Sequence, residues 1–146
     1  GLTVDAVAFN AAYQARLGET AIPRDDSVAL VTSLRGRVRQ YVVSNGTVQA
    51  QTAKLRRSGL DRLMDGIFLS EKIGAEKPDI AFFDAVFAAI GPVKKEEVLI
   101  VGDSLTSDIQ GGRNAGIQTC WYAPAGGESP LPHHTIRDLH EVLALL

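Results

Sequence analysis

The sequence has one cysteine, few aromatic residues and no long apolar run. The cysteine count excludes a disulfide-stabilised domain, and the lack of apolar runs excludes a membrane-spanning helix. Its single cysteine, Cys120, cannot form an internal disulfide or a paired-cysteine metal site. Cys120 lies in the apolar run 119–122, a setting that predicts a buried thiol rather than a nucleophile. No apolar stretch approaches the ~18 residues that a membrane-spanning helix needs, so we expect no membrane partner.

The charge balance excludes a typical nucleic-acid-binding protein. The chain has 15 Lys and Arg against 17 Asp and Glu, a net charge of −2. A nucleic-acid-binding protein would carry a basic excess, so we expect no nucleic-acid partner. With 146 residues, 45% of them hydrophobic and 22% charged, the composition predicts a globular cytoplasmic domain with a core of its own.

Short β-rich runs alternate with amphipathic stretches, a pattern that predicts an open parallel α/β sheet. The predicted strands are residues 40–43, 66–70, 98–101 and 118–122. The predicted helices are residues 4–17, 25–35, 47–58, 79–91, 107–115 and 136–146. The run 98–101 is apolar throughout, which is typical of a strand buried on both faces in the middle of such a sheet.

Polar residues that suit phosphate binding follow the first predicted strand and precede a predicted helix. Ligands of open α/β sheets bind outside the carboxyl ends of the strands. Ser44 has a hydroxyl there, and the backbone N–H groups of Asn45 and Gly46 could donate to phosphate oxygens at a helix N-terminus. Lys77, just before the helix predicted over 79–91, could supply a positive charge to the same oxygens.

Two carboxylates follow the third predicted strand. Asp103 comes at the strand end, and Asp108 comes near the start of the next predicted helix. Carboxylate oxygens suit Mg²⁺, which is usually bound by one or two carboxylates together with substrate phosphate and water. Asp103 and Asp108 are therefore the candidate metal ligands.

Each of these features also has a simpler interpretation. Ser44-Asn45-Gly46 could be a turn or helix cap, Lys77 a solvated charge, and Gly102-Asp103 a capped loop. Their occurrence together, each at a strand end or helix start, favours phosphate chemistry.

The same residues resemble three motifs of the haloacid-dehalogenase-like superfamily. Residues 42–46 resemble its second motif, a strand ending in Ser or Thr. Residues 76–79, Glu-Lys-Pro-Asp, are similar to its third, and Gly102-Asp103 with Asp108 is similar to its acidic fourth. The stretch 41–122 follows the family pattern, which implies a Rossmann-like three-layer parallel sheet.

The runs 102–112, 114–116 and 119–121 look like the branch of pyrimidine 5′-nucleotidases that act on noncanonical nucleotides. Haloacid dehalogenases within the superfamily are an alternative, since they share the Ser-Asn-Gly and Lys-Pro elements. They need no Mg²⁺ and have a Ser-Ser-Asn-like fourth motif, so Gly102-Asp103 with Asp108 favours the metal-dependent phosphatases.

The resemblance implies hydrolysis of a small phosphorylated metabolite, with a nucleoside monophosphate as the favoured substrate. It implies an aspartyl-phosphate mechanism, with Mg²⁺ at Asp103 and Asp108 and with Ser44 and Lys77 on the phosphoryl oxygens. In this reading Ser44, Lys77 and Asp103 are the catalytic residues, and Ser44, Asn45, Gly46 and Lys77 bind phosphate.

The first motif of the superfamily, Asp-x-Asp-x-Thr, is absent from the sequence. We therefore expect residues 1–20 to be the end of a helical cap and residues 21–146 to be a core without its nucleophile strand. The 146-residue chain alone would then be inactive. The alternative from a different class is a non-catalytic phosphate-binding or interaction module.

Overall fold

The structure, a computed structural model, describes residues 27–146. The helix predicted over 4–17 and the cap segment predicted over 1–20 lie outside these residues. The chain forms two compact units that divide between Lys72 and Ile73.

Within residues 27–72, the first unit holds a two-stranded parallel sheet with its helices. Its elements are α1 (Ser27–Leu34), β1 (Tyr41–Ser44), α2 (Val48–Ser58), a 3₁₀ turn (Leu60–Arg62), β2 (Gly66–Leu69) and the start of α3 (Ser70–Ile73). β1 pairs with β2 so that Ser44 lies opposite Leu69. Thr47 caps α2 by accepting the N–H of Ala50, and Gly59, with φ of 74°, ends that helix.

The second unit, from Ile73 to Leu146, holds a three-stranded parallel sheet in the order β3-β4-β5. Its elements are α4 (Ile80–Ile90), a 3₁₀ turn (Lys95–Glu97), β3 (Leu99–Gly102), a π-helical turn (Leu105–Ile109), α5 (Gln110–Ala115), β4 (Gln118–Tyr122), β5 (His134–Ile136) and a 3₁₀ helix (Leu139–Leu145). All pairings are parallel. The α/β class with parallel strands is therefore confirmed.

Close packing in the second unit depends on two adjacent glycines of α5. A Cβ at Gly111 would lie 2.6 Å from the Phe83 ring of α4, and one at Gly112 would lie 2.6 Å from Ile100 and from Thr119. Because real Cβ atoms do not approach that closely, α5 contacts both α4 and the sheet only with glycine at these positions. Phe83, Ile100 and Thr119 are buried accordingly.

The C-terminal prediction was wrong in its element type. The helix predicted over 136–146 is the end of strand β5 followed by a 3₁₀ helix. Asp138 starts that helix with a capping box closed by Glu141, while the preceding residues pair with β4. The apolar spacing after Asp138 indicated a helix but could not show that a strand lay before it.

Strand β3 also differs from its prediction. Within the described residues it pairs only with β4, and the Val101 side chain is 40% exposed. The expected burial of this strand on both faces is therefore not seen in this part of the chain. Among residues 27–146, every helix is too short or too polar to cross a membrane.

Candidate active site

In the first unit, the predicted phosphate-binding residues lie at the carboxyl end of β1. Ser44 ends that strand, and both Ser44 and Asn45 are half-buried, while Gly46 is exposed. Among residues 27–146, the Ser44 hydroxyl makes only a long contact of 3.4 Å, to the carbonyl oxygen of Asn45. Gly46 has a φ of 141°, which L side chains rarely adopt, so this turn into α2 requires glycine.

The start of α2 is bonded to side chains of α3. The Gly46 N–H donates to Ser70 Oγ at 3.0 Å, and the Val48 N–H donates to Glu71 Oε2 at 2.7 Å. A carboxylate at a helix N-terminus is favourable, because the helix dipole and unpaired N–H groups attract negative charge. A phosphate oxygen that used the Gly46 N–H would therefore have to replace Ser70.

In the second unit, Lys77 and Asp108 form a buried ion pair. Lys77 Nζ lies 2.5 Å from Asp108 Oδ1, and the two residues are 7% and 8% exposed. The interpretation of Lys77 as a solvated surface charge is therefore wrong. A buried charge is tolerated when it is paired and hydrogen-bonded, so this pair holds the ammonium group in one place.

The loop from β3 to α5 explains how Asp108 reaches Lys77. Ser104 caps the π-helical turn: its Oγ accepts the Ser107 N–H at 3.1 Å, and its carbonyl accepts the N–H groups of Asp108 and Ile109. The Ser104 N–H in turn donates to Asp108 Oδ2 at 3.1 Å. A Cβ at Gly102 would overlap the Asp108 carboxyl group, so glycine there makes room for Asp108.

Asp103 lies directly after β3 and is exposed. Among the described residues its carboxylate has no hydrogen-bond or ion-pair partner, whereas both Asp108 oxygens have one. In this part of the chain no three His, Cys, Asp or Glu side chains gather as a metal-binding group. One accessible carboxylate fits Mg²⁺, which keeps several water ligands.

Two further contacts support Lys77 through its neighbour Pro78. The Asn114 side-chain amide of α5 donates to the Pro78 carbonyl at 3.0 Å. Gly111 allows α5 to approach the same residue, since a Cβ there would lie 3.2 Å from Pro78 Cα. In the sequence, this stretch stands out only by its resemblance to a nucleotidase branch. The side-by-side Gly111-Gly112 was the signal that a close helix contact was present.

Cys120 occupies the middle of β4 and is fully buried, as predicted from its apolar neighbours. Burial, and to a smaller extent the negative charge of Glu141, raises the pKa of the Cys120 thiol from 9.0 to about 11. The thiol is therefore protonated at neutral pH and is not a nucleophile.

Residues 1–116 match the family model described as haloacid dehalogenase-like hydrolase. The chain is 34% identical over 148 residues to the pyrimidine 5'-nucleotidase YjjG of Escherichia coli, a match that covers 99% of this chain and 66% of that protein. It is 42% identical over 113 residues to the pyrimidine 5'-nucleotidase PynA of Streptococcus pneumoniae, with 77% of this chain and 46% of that protein covered.

Among solved structures, the chain is similar to the HAD-hydrolase YfnB of Bacillus subtilis, whose crystal structure is described as bound to magnesium. The TM-score is 0.92 at 36% identity, and the match covers 99% of this chain and 65% of that one. A HAD phosphatase from Thermococcus onnurineus matches with a TM-score of 0.82 at 25% identity over 91% of this chain and 63% of that one. The chain thus spans about half to two thirds of the length of these relatives.

Proposed function

Because the chain belongs to the haloacid dehalogenase-like hydrolases, we propose that it is part of a phosphatase that hydrolyses phosphomonoesters of small metabolites. The observation that carries this proposal is the buried ammonium group of Lys77. It is held by Asp108, and an accessible carboxylate, Asp103, lies in the same unit. A fixed positive charge stabilises the negative charge that builds up on a transferring phosphoryl group.

Nucleoside monophosphates are the substrate class that we propose. Two relatives at 34% and 42% identity are named pyrimidine 5'-nucleotidases. The run 102–112, with the loop that places Asp108, is the stretch whose residues resemble that branch. Other relatives are named as phosphatases of N-acylneuraminate 9-phosphate, so sugar phosphates are the class to test beside the nucleotides.

Asp103 is the proposed ligand of a Mg²⁺ ion, and Asp108 is proposed to act at the same ion through a water molecule. The donor chemistry fits, since Asp103 offers an accessible hard oxygen while the oxygens of Asp108 contact Lys77 and Ser104. When bound, Mg²⁺ would supply Lewis-acid stabilisation of phosphoryl oxygens. The direct contact of Asp108 is therefore with Lys77, whose ammonium group it holds in place.

Lys77 is proposed to contact phosphoryl oxygens, and in the first unit Ser44 is proposed as a phosphate-binding and catalytic residue, with the N–H groups of Asn45 and Gly46 as further donors. In the part of the chain that the structure describes, the Ser44 hydroxyl has only one weak contact, so it can rotate toward a ligand. The nucleophile of the proposed aspartyl-phosphate mechanism is an aspartate outside this chain, which contains no Asp-x-Asp.

The proposal is tested by a substrate panel with the complete protein that carries these residues. Phosphate release is measured with pyrimidine and purine nucleoside monophosphates, sugar phosphates and a generic aryl phosphate, and halide release is measured with a 2-haloacid. We expect phosphate release that is highest for a nucleoside monophosphate. Halide release without phosphate release would contradict the phosphatase assignment. Phosphate release from sugar phosphates alone would contradict the nucleotide class.

A further inference from the structure

A hydrogen bond that links two strands lies beside the proposed metal ligand. Trp121 of β4 is the strand neighbour of Gly102, the last residue of β3. Its indole N–H donates to the carbonyl oxygen of Asp103 at 3.0 Å. This carbonyl lies just beyond the end of β3, where the sheet no longer supplies a partner, so the indole takes the place of a backbone donor.

The opposite side of the same peptide group is also held. The peptide between Asp103 and Ser104 has its C=O bonded to Trp121 and its N–H bonded to Asp108 Oδ2 at 3.1 Å. The other oxygen of Asp108, Oδ1, accepts a hydrogen bond from Lys77 Nζ. One chain of hydrogen bonds therefore runs from Trp121 through this peptide group to the buried lysine. A peptide plane fixed at both ends sets the direction in which the Asp103 side chain leaves the backbone.

The indole is itself held in place. A Cβ at Gly127 would lie 2.7 Å from the Trp121 ring, so the loop after β4 lies directly against the indole. Gly127 has a φ of 139°, a conformation that glycine adopts without strain. The Trp121 ring is thus positioned by the loop, and its N–H points to Asp103.

We propose that Trp121 is a positioning residue of the metal site, acting through the Asp103–Ser104 peptide group on the direction of the Asp103 carboxylate. This inference rests on the proposed function, in which Asp103 binds Mg²⁺. Removal of a group that orients a metal ligand by hydrogen bonding usually lowers metal affinity about 10- to 100-fold. Because Trp121 acts through the backbone rather than on the carboxylate itself, we expect the lower end of that range.

The test measures Mg²⁺ binding without substrate, by calorimetry on the complete protein. Trp121→Phe removes the N–H and part of the ring. A second variant with 3-benzothienylalanine at position 121 replaces only the N–H by sulfur and keeps the ring shape. We expect both variants to bind Mg²⁺ about tenfold more weakly than the parent. We also expect kcat at saturating Mg²⁺ to stay within about threefold, because the ion, once bound, occupies the same ligand.

Thermal unfolding of each variant separates positioning from a purely structural role. A lowered midpoint with unchanged Mg²⁺ affinity in both variants would overturn the inference and leave the metal assignment of Asp103 standing. If the parent bound no Mg²⁺, or if Asp103→Asn bound it as well as the parent, the metal part of the proposed function would fail and this inference with it.

Discussion

The two units hold their candidate site residues in different ways. In the described part of the first unit, Ser44 has one weak contact, and the N–H groups of Gly46 and Val48 are bonded to the side chains of Ser70 and Glu71 near the surface. In the second unit, Lys77 and Asp108 are buried together, and Gly102 makes the approach of Asp108 possible. The first arrangement can exchange its partners with water or a ligand, whereas the second is fixed by packing.

This difference suggests a division of work. A buried ion pair costs desolvation that its Coulomb attraction only partly repays, so it is weak evidence for stability. Its physical advantage in the proposed phosphatase is a charge that needs no reorganisation when the phosphoryl group develops negative charge. The Ser44 hydroxyl, which has one weak contact among the described residues, can instead change its direction.

The largest expected effect comes from breaking the buried pair. Asp108→Ala leaves the Lys77 charge without its carboxylate, and we expect the free energy of unfolding to fall by about 3–5 kcal/mol. The double variant Lys77→Met with Asp108→Leu removes both charges and should recover most of that loss. Urea unfolding measures both. A single variant as stable as the parent would contradict the view that the second unit is fixed by this pair.

A smaller effect is expected from two matched glycine substitutions. Gly102→Ala places a Cβ on the Asp108 carboxyl group, and we expect a cost of about 1–3 kcal/mol. Gly66→Ala in the first unit places a Cβ 3.1 Å from the Tyr41 ring, which can shift slightly, so we expect a cost below about 1 kcal/mol. Equal losses of unfolding free energy in the two variants would remove the contrast in packing between the units.

The smallest effect concerns the thiol of the second unit and depends on pH. The pKa of Cys120 is about 11 in the fold and 9.0 as the ordinary value, so the unfolded chain loses this proton first. Loss of the proton therefore favours the unfolded chain. The contribution of Cys120 to the free energy of unfolding is fully present below pH 9 and is lost as the pH rises through about 11. Cys120→Ala should flatten this alkaline loss in a series of urea unfolding curves.

The same thiol can be compared with one placed in the first unit. In Ser70→Cys, we expect the half-buried new thiol to react with a disulfide reagent at pH 8 while Cys120 stays unreacted until the chain unfolds. Rapid reaction of Cys120 in the native parent would show that the second unit opens readily.

Much of the architecture follows from local patterns in the sequence. The apolar spacing of α4, the Thr47 and Gly59 ends of α2 and the apolar run of β4 are signals carried by neighbouring residues. β5 is only three residues long, and its pairing with β4 depends on a distant segment. Its sequence therefore gives no periodic signal that could reveal it.

The candidate site was predictable by residue type but not by contact. The sequence predicted Lys77 as a phosphate-binding residue and Asp108 as a metal ligand, and it left open whether Lys77 is solvated. Their ion pair joins distant segments of the chain, so no local pattern reveals it. The bond from Trp121 to the Asp103 carbonyl is similar, since it depends on the register of two parallel strands.

The central claim is that Asp103 serves Mg²⁺-dependent hydrolysis of a phosphomonoester, and one measurement tests it most directly. Phosphate release from the best nucleoside monophosphate is followed against Mg²⁺ concentration for the parent, for Asp103→Asn and for the matched control Asp84→Asn. Asp84 is an exposed carboxylate on α4. We predict Mg²⁺-dependent release in the parent and the control, and a loss of at least about 100-fold in Asp103→Asn. Equal rates in Asp103→Asn and the parent would contradict the claim.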